Sequence, residues 1–461
     1  MTIRYLIVTG GDAEQRSAVF GRLATARDFV TGQVGDAFVI ATHQRMLLPA
    51  GPIVIGEIFE GSEPVAPQES ITRDGRPSAS ELLNRFWGRY VAIWSEVPGR
   101  LCVLRDPSGA LPCYYRLLDG LTLVGSDLAL LEQASPARRI LNWPEVARIL
   151  GAGDLRGPAT GLAGIMELPP GDMLTITGGH HKTRRVWDPW DHVESASSMS
   201  FEEQAGILRC RTEMVVTALG RAHTDRVATI SGGLDSSIVA LSLAKLAGSL
   251  TGLTAFTHDS SGDERRYARI VANAASARYR ERILSADAID LTKSQVNHLP
   301  RPTGRPFFAA VSVMINEVAA DVGASAVFNG TGGDNIFCFL QSVTPVVDRL
   351  HAGSPLGALC AVADVARMTD ASYLEIAAAT ARRVFSPARS RRWRSNRRFL
   401  APAQVEQAAR YDHPWLAPRR AARPGQFAHL TMLLRVQNYL EPWHADDPID
   451  IINPLLAHDL R

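Results

Sequence analysis

Up to about residue 190 the apolar positions fall in short runs broken by Gly, Pro and Asp, among them Tyr90-Val-Ala-Ile-Trp94, Leu101-Cys-Val-Leu104 and Leu121-Thr-Leu-Val124. Runs of this length, bounded by turn formers, predict strands. Ile3-Arg-Tyr-Leu-Ile-Val8 reads as a further buried strand. Leu168-Pro-Pro-Gly171, a strand at Met173-Leu-Thr-Ile176 and Trp187-Asp-Pro-Trp190 close this β-rich part, and Ser195-Ala-Ser-Ser-Met-Ser200 reads as a linker. The pattern predicts one domain over 1–195 and a second over 196–461.

Beyond the linker the period changes. A helix over 202–220 leads to a strand at Arg226–Ile230, then a Gly turn and an apolar helix over Ser237–Ala247. A strand at Leu253–Thr257 precedes a helix from Glu264 to about Ala277, and a helix over 309–322 leads to Ala326-Val-Phe328. Strands alternating with helices of this length predict a parallel sheet covered on both faces. From residue 340 the chain reads as mostly helical. The fold class expected is α/β, a β-rich N-terminal domain followed by a parallel-sheet domain.

Charge narrows the function classes. Lys+Arg number 49 and Asp+Glu 47, a formal net charge of +2, so no global field points to nucleic acid or a membrane surface. Nowhere do 18 apolar residues run together. Cys102, Cys113, Cys210, Cys338 and Cys360 are widely spaced, with no CxxC pair. A soluble protein of a reducing, cytoplasmic compartment is expected. Lys occurs only at Lys182, Lys245 and Lys293, so nearly all the basic charge is arginine.

The strongest chemical signal is Ser231-Gly-Gly-Leu-Asp-Ser-Ser237, set between a predicted strand and an apolar helix. Two glycines let the backbone approach an anion closely, Ser231 and Ser236 add hydroxyls, and the helix N-terminus carries positive potential. This predicts a phosphate cradle. Asp235 would repel a bare phosphate, so a Mg²⁺ between carboxylate and phosphate is expected. The competing reading, a Gly turn with serine N-caps, leaves the register of strand, glycines, Asp and helix unexplained.

Ser231-Gly-Gly-Leu-Asp-Ser236 resembles the SGGxDS pyrophosphate loop of the ATP pyrophosphatases, and within them the chain is similar to class B asparagine synthetases and their relatives, the β-lactam synthetases and lasso peptide cyclases. Asn329-Gly-Thr-Gly-Gly-Asp-Asn-Ile-Phe337, after the Ala326–Phe328 strand, resembles the second Gly-rich loop of these enzymes. Strand ends of a parallel sheet gather on one edge, which would let Asp334 meet Asp235. The resemblance implies Mg²⁺ on Asp235 and Asp334, ATP and pyrophosphate on Ser231, Gly232, Gly233, Leu234, Asp235, Ser236, Phe256, Thr257, Gly330, Gly332 and Gly333, and a catalytic set of Asp235, Asp334 and Thr331.

Gly88-Arg-Tyr-Val-Ala92, Arg105-Asp-Pro-Ser-Gly109, Leu111-Pro-Cys-Tyr-Tyr115 and Gly125-Ser-Asp127 are similar in order and spacing to the glutaminase domain of asparagine synthetases. This implies an Ntn-hydrolase-like αββα fold for 1–195 and an ATP-pyrophosphatase fold for 196–461. Such an amidase uses an N-terminal Cys, whereas Thr2 stands here, so no glutaminase is expected and the nitrogen acceptor should be an amine of the substrate. Gly332-Gly-Asp-Asn-Ile-Phe-Cys338 and Arg301-Pro-Thr-Gly-Arg-Pro-Phe307 resemble lasso peptide cyclases. These adenylate an Asp or Glu side chain of a core peptide and close an isopeptide ring with the N-terminal amine, beside a leader-binding protein and a leader peptidase. The asparagine and β-lactam synthetases' C-terminal Lys has no counterpart after Lys293. A small-molecule amide ligase and a non-catalytic nucleotide- or peptide-binding relative stay open as alternatives.

Four further features read as structural. The basic run Arg389–Arg398 reads as a solvated face, His180-His181 as a turn without further metal ligands, Phe307-Phe308 as core, and Asp263-Glu-Arg-Arg-Tyr267 as a helix start capped by its acids.

Overall fold

Alternation within the first strand sets the layering of the N-terminal half. In β1 (Tyr5–Gly10) Tyr5 and Ile7 face one core while Leu6 and Val8 face another. The computed structural model describes residues 3–460 apart from 24–28, 43–45, 48–51, 66–77, 194–198, 286–288, 291, 293–295, 303–306, 386–392, 394, 418–421 and 441–448. The boundary expected near 195, most of the basic run 389–398, residues 303–306, Thr2 and Lys293 therefore lie outside the described residues.

With β2 (Phe29–Val34), β3 (Ala37–Thr42), β9 (Tyr114–Leu117), β10 (Leu121–Gly125) and β11 (Ile165–Glu167), β1 forms an antiparallel sheet in the order β11-β9-β10-β1-β3-β2. A second antiparallel sheet joins β4 (Met46–Leu47), β5 (Ile53–Glu60), β6 (Glu63–Pro64), β7 (Trp87–Val97), β8 (Arg100–Arg105), β12 (Asp172–Thr177) and β13 (His180–Arg185), in the order β13-β12-β8-β7-β5-β4 with β6 on β5. The sheets stack on Tyr5, Ile7, Val39, Ile55, Val91, Ile93, Val103 and Leu174. Helices α1 (Ala13–Leu23) and α3 (Leu128–Ala134) cover the outer face of the first sheet.

The outer face of the second sheet presents Tyr90, Ala92 and Trp94 to α2 (Ala79–Arg85) and to Phe427, Leu430 and Leu434 of the helix Pro424–Val436. The fourth layer of this αββα sandwich is thus shared with the C-terminal half. Helix α4 (Trp143–Ala152) lies beside it. His180 and His181 sit on the exposed edge strand β13 instead of in a turn, because an edge strand open to water needs no apolar face.

The C-terminal half holds a parallel sheet of β14 (Asp225–Thr229), β15 (Ser249–Phe256), β16 (Arg278–Ile283), β17 (Ala326–Phe328) and β18 (Asp450–Ile452), in the order β16-β15-β14-β17-β18. One face is covered by α5 (Phe201–Gly220), α6 (Leu234–Leu243) and α7 (Arg265–Ala274), the other by α8 (Phe307–Asp321). Helix α6 starts three residues before the expected position, at Leu234, since Gly233 in extended backbone forms its N-cap and draws Asp235 into the first turn. Strand β16 escapes an apolar-run reading because its residues are charged. Its Glu281 meets Arg265 and Arg269 of α7 across the sheet edge.

Two observations yield tests. Buried Arg89 on β7 donates Nη1 to Asp450 Oδ1 at 3.0 Å and Nη2 to Oδ2 at 2.7 Å on β18, and Nε to Glu57 at 2.9 Å, tying the two halves together. Arg89→Met removes the shared partner of two buried carboxylates and should cost about 3–5 kcal/mol in denaturant unfolding. The second concerns pH. Burial pushes the Asp172 carboxyl up to about 6, against the opposing pull of Arg185. An unfolded aspartate titrates near ~4, so the stability of the protonated form is full below that pH and is lost as pH rises through about 6. Asp172→Asn should therefore raise Tm at neutral pH, and the gap to wild type should close as the pH approaches ~4.

Candidate active site

The chain leaves β14, a central strand, at Ile230, which is held in place by its N–H on the Leu253 carbonyl at 2.8 Å and by Thr254 Oγ1 donating to its carbonyl at 2.7 Å. The next residues form a closed loop. Ser231 N–H donates to Ser236 Oγ at 3.1 Å, the two hydroxyls lie 2.9 Å apart, and Gly233 N–H donates to Ser231 Oγ at 3.1 Å. Leu234 is 81% exposed at the start of α6, so it adds no packing and marks this helix end as open to solvent.

Strand β17 runs parallel beside β14 and delivers the Asn329–Asn335 loop against the first one. A Cβ on Gly330 would lie 2.5 Å from the Ser236 amide nitrogen, and one on Gly333 would enter the carboxylate of Asp235. These two glycines let the loops touch. Gly332, at φ +97°, is the N-cap of the short helix α9 (Gly333–Ile336), whose first turn carries Asp334. The nearby Asp334 backbone N–H favours the Asp235 carboxylate, yet burial and the Asp334 charge raise the Asp235 pKa overall. Thr331 is half-buried, its N–H on Asn329 Oδ1 at 2.9 Å. Asn335 Nδ2 donates to the Met432 carbonyl at 2.8 Å, and His429 lies 3.1 Å from the Ile336 carbonyl, which fixes α9 on the helix Pro424–Val436.

The third wall is the start of α7. Asp263 caps the helix by accepting the Arg265 N–H at 3.1 Å, and its contacts with Arg265 hold its carboxyl down at about 2. Glu264 makes no cap bond. Its carboxylate accepts the Gly232 N–H at 3.2 Å, and Tyr267 packs against Gly232. The Arg265 guanidinium lies 4.0 Å from the ring centroid of Phe256, at the end of β15. Thr257 is exposed and its Oγ1 accepts the Asp259 N–H at 3.3 Å.

The structure thus brings Ser231, Gly232, Gly233, Asp235, Ser236, Gly330, Thr331, Gly332, Gly333 and Asp334 to one corner, with Phe256 and Thr257 on the neighbouring strand end. Glu264, Arg265 and Tyr267 are the additions. The acids before α7 were visible in the sequence, but a cap accounts for both until the Glu264 carboxylate is seen on another loop.

The pair fits a divalent ion. Two carboxylates from adjacent loops, one made harder to ionise by the other, are an arrangement a cation relieves. Among the described residues no group of three or more His, Cys, Asp or Glu could hold a metal. Remaining ligands for Mg²⁺ would then be phosphate oxygens and water, its usual complement. In the N-terminal half, Cys102 and Cys113 are buried. Burial raises the Cys102 thiol and pushes that of Cys113 up to about 11, so neither offers a thiolate.

Comparison with known proteins matches residues 213–446 to the asparagine synthase family and residues 74–187 to a glutamine amidotransferase domain. The chain belongs to the asparagine synthase family, and that membership supports an ATP-dependent amide-forming ligase. Similar solved structures include the allosteric regulatory enzyme of purine biosynthesis, 11% identical over 71% of this chain and 89% of that one with a TM-score of 0.27. Glutamine phosphoribosylpyrophosphate amidotransferase from B. subtilis, complexed with ADP and GMP, is 11% identical over 71% and 81% with a TM-score of 0.26. The U34-tRNA thiolase NcsA from Methanococcus maripaludis with its [4Fe-4S] cluster is 16% identical over 35% and 58% with a TM-score of 0.24. No curated protein matches the chain by sequence. No described helix is long and apolar enough to cross a membrane.

The contact of Gly333 with Asp235 is open to a direct test. Gly333→Ala should lower ATP turnover by about 100-fold, the scale of an ångström-sized misplacement. Gly206→Ala, where an added methyl on α5 meets open space, should leave turnover unchanged.

Proposed function

We propose that this chain is an ATP- and Mg²⁺-dependent lasso peptide cyclase, releasing AMP and pyrophosphate. The observation that carries the reading is the meeting of Asp235 and Asp334 on two touching Gly-rich loops at the end of a parallel sheet. Thr331 and Asn335, in the loop where the resembling asparagine synthetases carry a Glu-containing GxDE pattern and the β-lactam synthetases a Tyr, support the lasso reading.

In the proposed reaction a side-chain carboxylate oxygen of the core peptide attacks the α-phosphorus of ATP. The bond to the β-phosphate oxygen breaks and pyrophosphate leaves. The peptide's N-terminal amine then attacks the acyl carbon, the acyl–oxygen bond to AMP breaks, and the amine gives up a proton to solvent. Ser231, Gly232, Gly233, Leu234 and Ser236, with Gly330, Gly332 and Gly333 of the second loop, face the ATP phosphates, Phe256 and Thr257 the rest of the nucleotide, and Thr331 joins Asp235 and Asp334 in the catalytic set. Asp235 and Asp334 would hold the Mg²⁺, which neutralises phosphate charge. Most of the rate comes from holding amine and acyl carbon together. A precursor peptide, a leader-binding protein and a leader peptidase are the partners this reading proposes.

The test is mass spectrometry of nucleotide and peptide after mixing the chain with MgATP, the leader-processing partners and a precursor peptide. AMP together with a peptide lighter by one water is expected, and Asp235→Ala should abolish both products. Cyclisation of a β-amino acid with no action on peptide would replace the lasso reading by a small-molecule ligase. Intact ATP and linear peptide, with partners active on a sister system, would reduce the chain to a binding protein.

A further inference from the structure

The amides of Ser231, Gly232 and Gly233 are each engaged within the protein. Ser231 N–H is on Ser236 Oγ and Gly233 N–H on Ser231 Oγ, both hydroxyls that can rotate and donate to a phosphate instead. Gly232 N–H is different, because its acceptor is a carboxylate oxygen of Glu264, brought from α7 at 3.2 Å. A carboxylate cannot turn into a donor at neutral pH, so phosphate can take this amide only by displacing it.

We propose that Glu264 is the resting anion of this loop, occupying the Gly232 amide in place of a phosphate oxygen, weakening the grip on triphosphate and helping expel pyrophosphate after the adenylation step. The proposal rests on the nucleotide reading of the loop given above. Three features carry it. Glu264 is exposed, so its side chain can swing into water without an unfolding step. It occupies the N-cap position of α7 yet makes no cap bond, that task belonging to Asp263, so its departure from Gly232 leaves the helix start intact. The adjoining Arg265 is turned toward Asp263 and Glu281 and lies over Phe256, so it does not hold Glu264 in place. With nucleotide absent, the carboxylate satisfies the amide. With phosphate present, Glu264 would meet a like charge at the Gly232 amide, and it leaves.

The test is calorimetric titration of the full chain, wild type, Glu264→Gln and Glu264→Ala, with MgATP, magnesium pyrophosphate and adenosine. Both variants should bind MgATP and magnesium pyrophosphate more tightly by a common factor of about fivefold, the scale of one exposed charged contact, growing as salt is lowered. Adenosine, which carries no phosphate, should bind unchanged, an outcome that a merely structural role for Glu264 would not give. Equal melting temperatures will confirm that α7 is intact. Wild type binding both ligands with the variants no tighter overturns the inference alone. Folded wild type that binds neither MgATP nor pyrophosphate overturns the loop reading and the inference with it.

Discussion

The contact between the Asp235 carboxylate and the backbone of Gly333 is the constraint on which the site depends. Strands β14 and β17 are neighbours in a parallel sheet, so their C-terminal ends emerge about 5 Å apart. Two loops leaving strands at that spacing collide unless one lacks side chains at the point of contact. Gly330 and Gly333 remove them, and the consequences follow in order. Asp235 becomes partly buried, the Asp334 N–H comes near it, and the second carboxylate lies close enough to raise its pKa. Placing two acids together in a protein costs energy that a cation or a proton must offset, and this site is built around that cost.

The N-terminal sandwich supports this corner. Arg105, buried on β8, donates to the carbonyls of Gly109, Leu111 and Leu168 and to Glu167, and so draws two segments, 109–111 and 167–168, around one guanidinium. Asp127 caps α3 and pairs with Arg4, while Asp106 accepts amides of Tyr90 and Ser108. The motifs that resemble a glutaminase domain are thus accounted for by turns, caps and cross-strand bonds. The second sheet packs on the helix Pro424–Val436, which in turn grips α9 through Met432 and His429, so a mechanical path runs from the sandwich core to Asp334.

Local patterning read the strands well where one face is buried. Tyr90–Trp94, Leu101–Leu104, Leu121–Val124 and Met173–Ile176 all lie within observed strands, because alternation or a short apolar run is what a packed sheet demands. The parallel sheet of the C-terminal half followed from its strand–helix rhythm. The misses share one cause. Strand β16 is rich in arginine and β18 is three residues long, and both stand at sheet edges, where pairing on one side substitutes for an apolar signal. His180 and His181 escaped for the same reason.

The sequence by itself determined the chemical inventory: a Gly-Gly-Leu-Asp-Ser turn between strand and helix, a second Gly-rich loop ending in Asp334, and the strand that precedes each. These are local, since backbone freedom, helix starts and hydroxyl donors depend on a few consecutive residues. Only the tertiary structure decided that Asp235 touches Gly333, that Asn335 is spent on Met432, and that Glu264 reaches Gly232 from 32 residues away. Those depend on strand order and helix packing, which bring together residues that no sequence window contains.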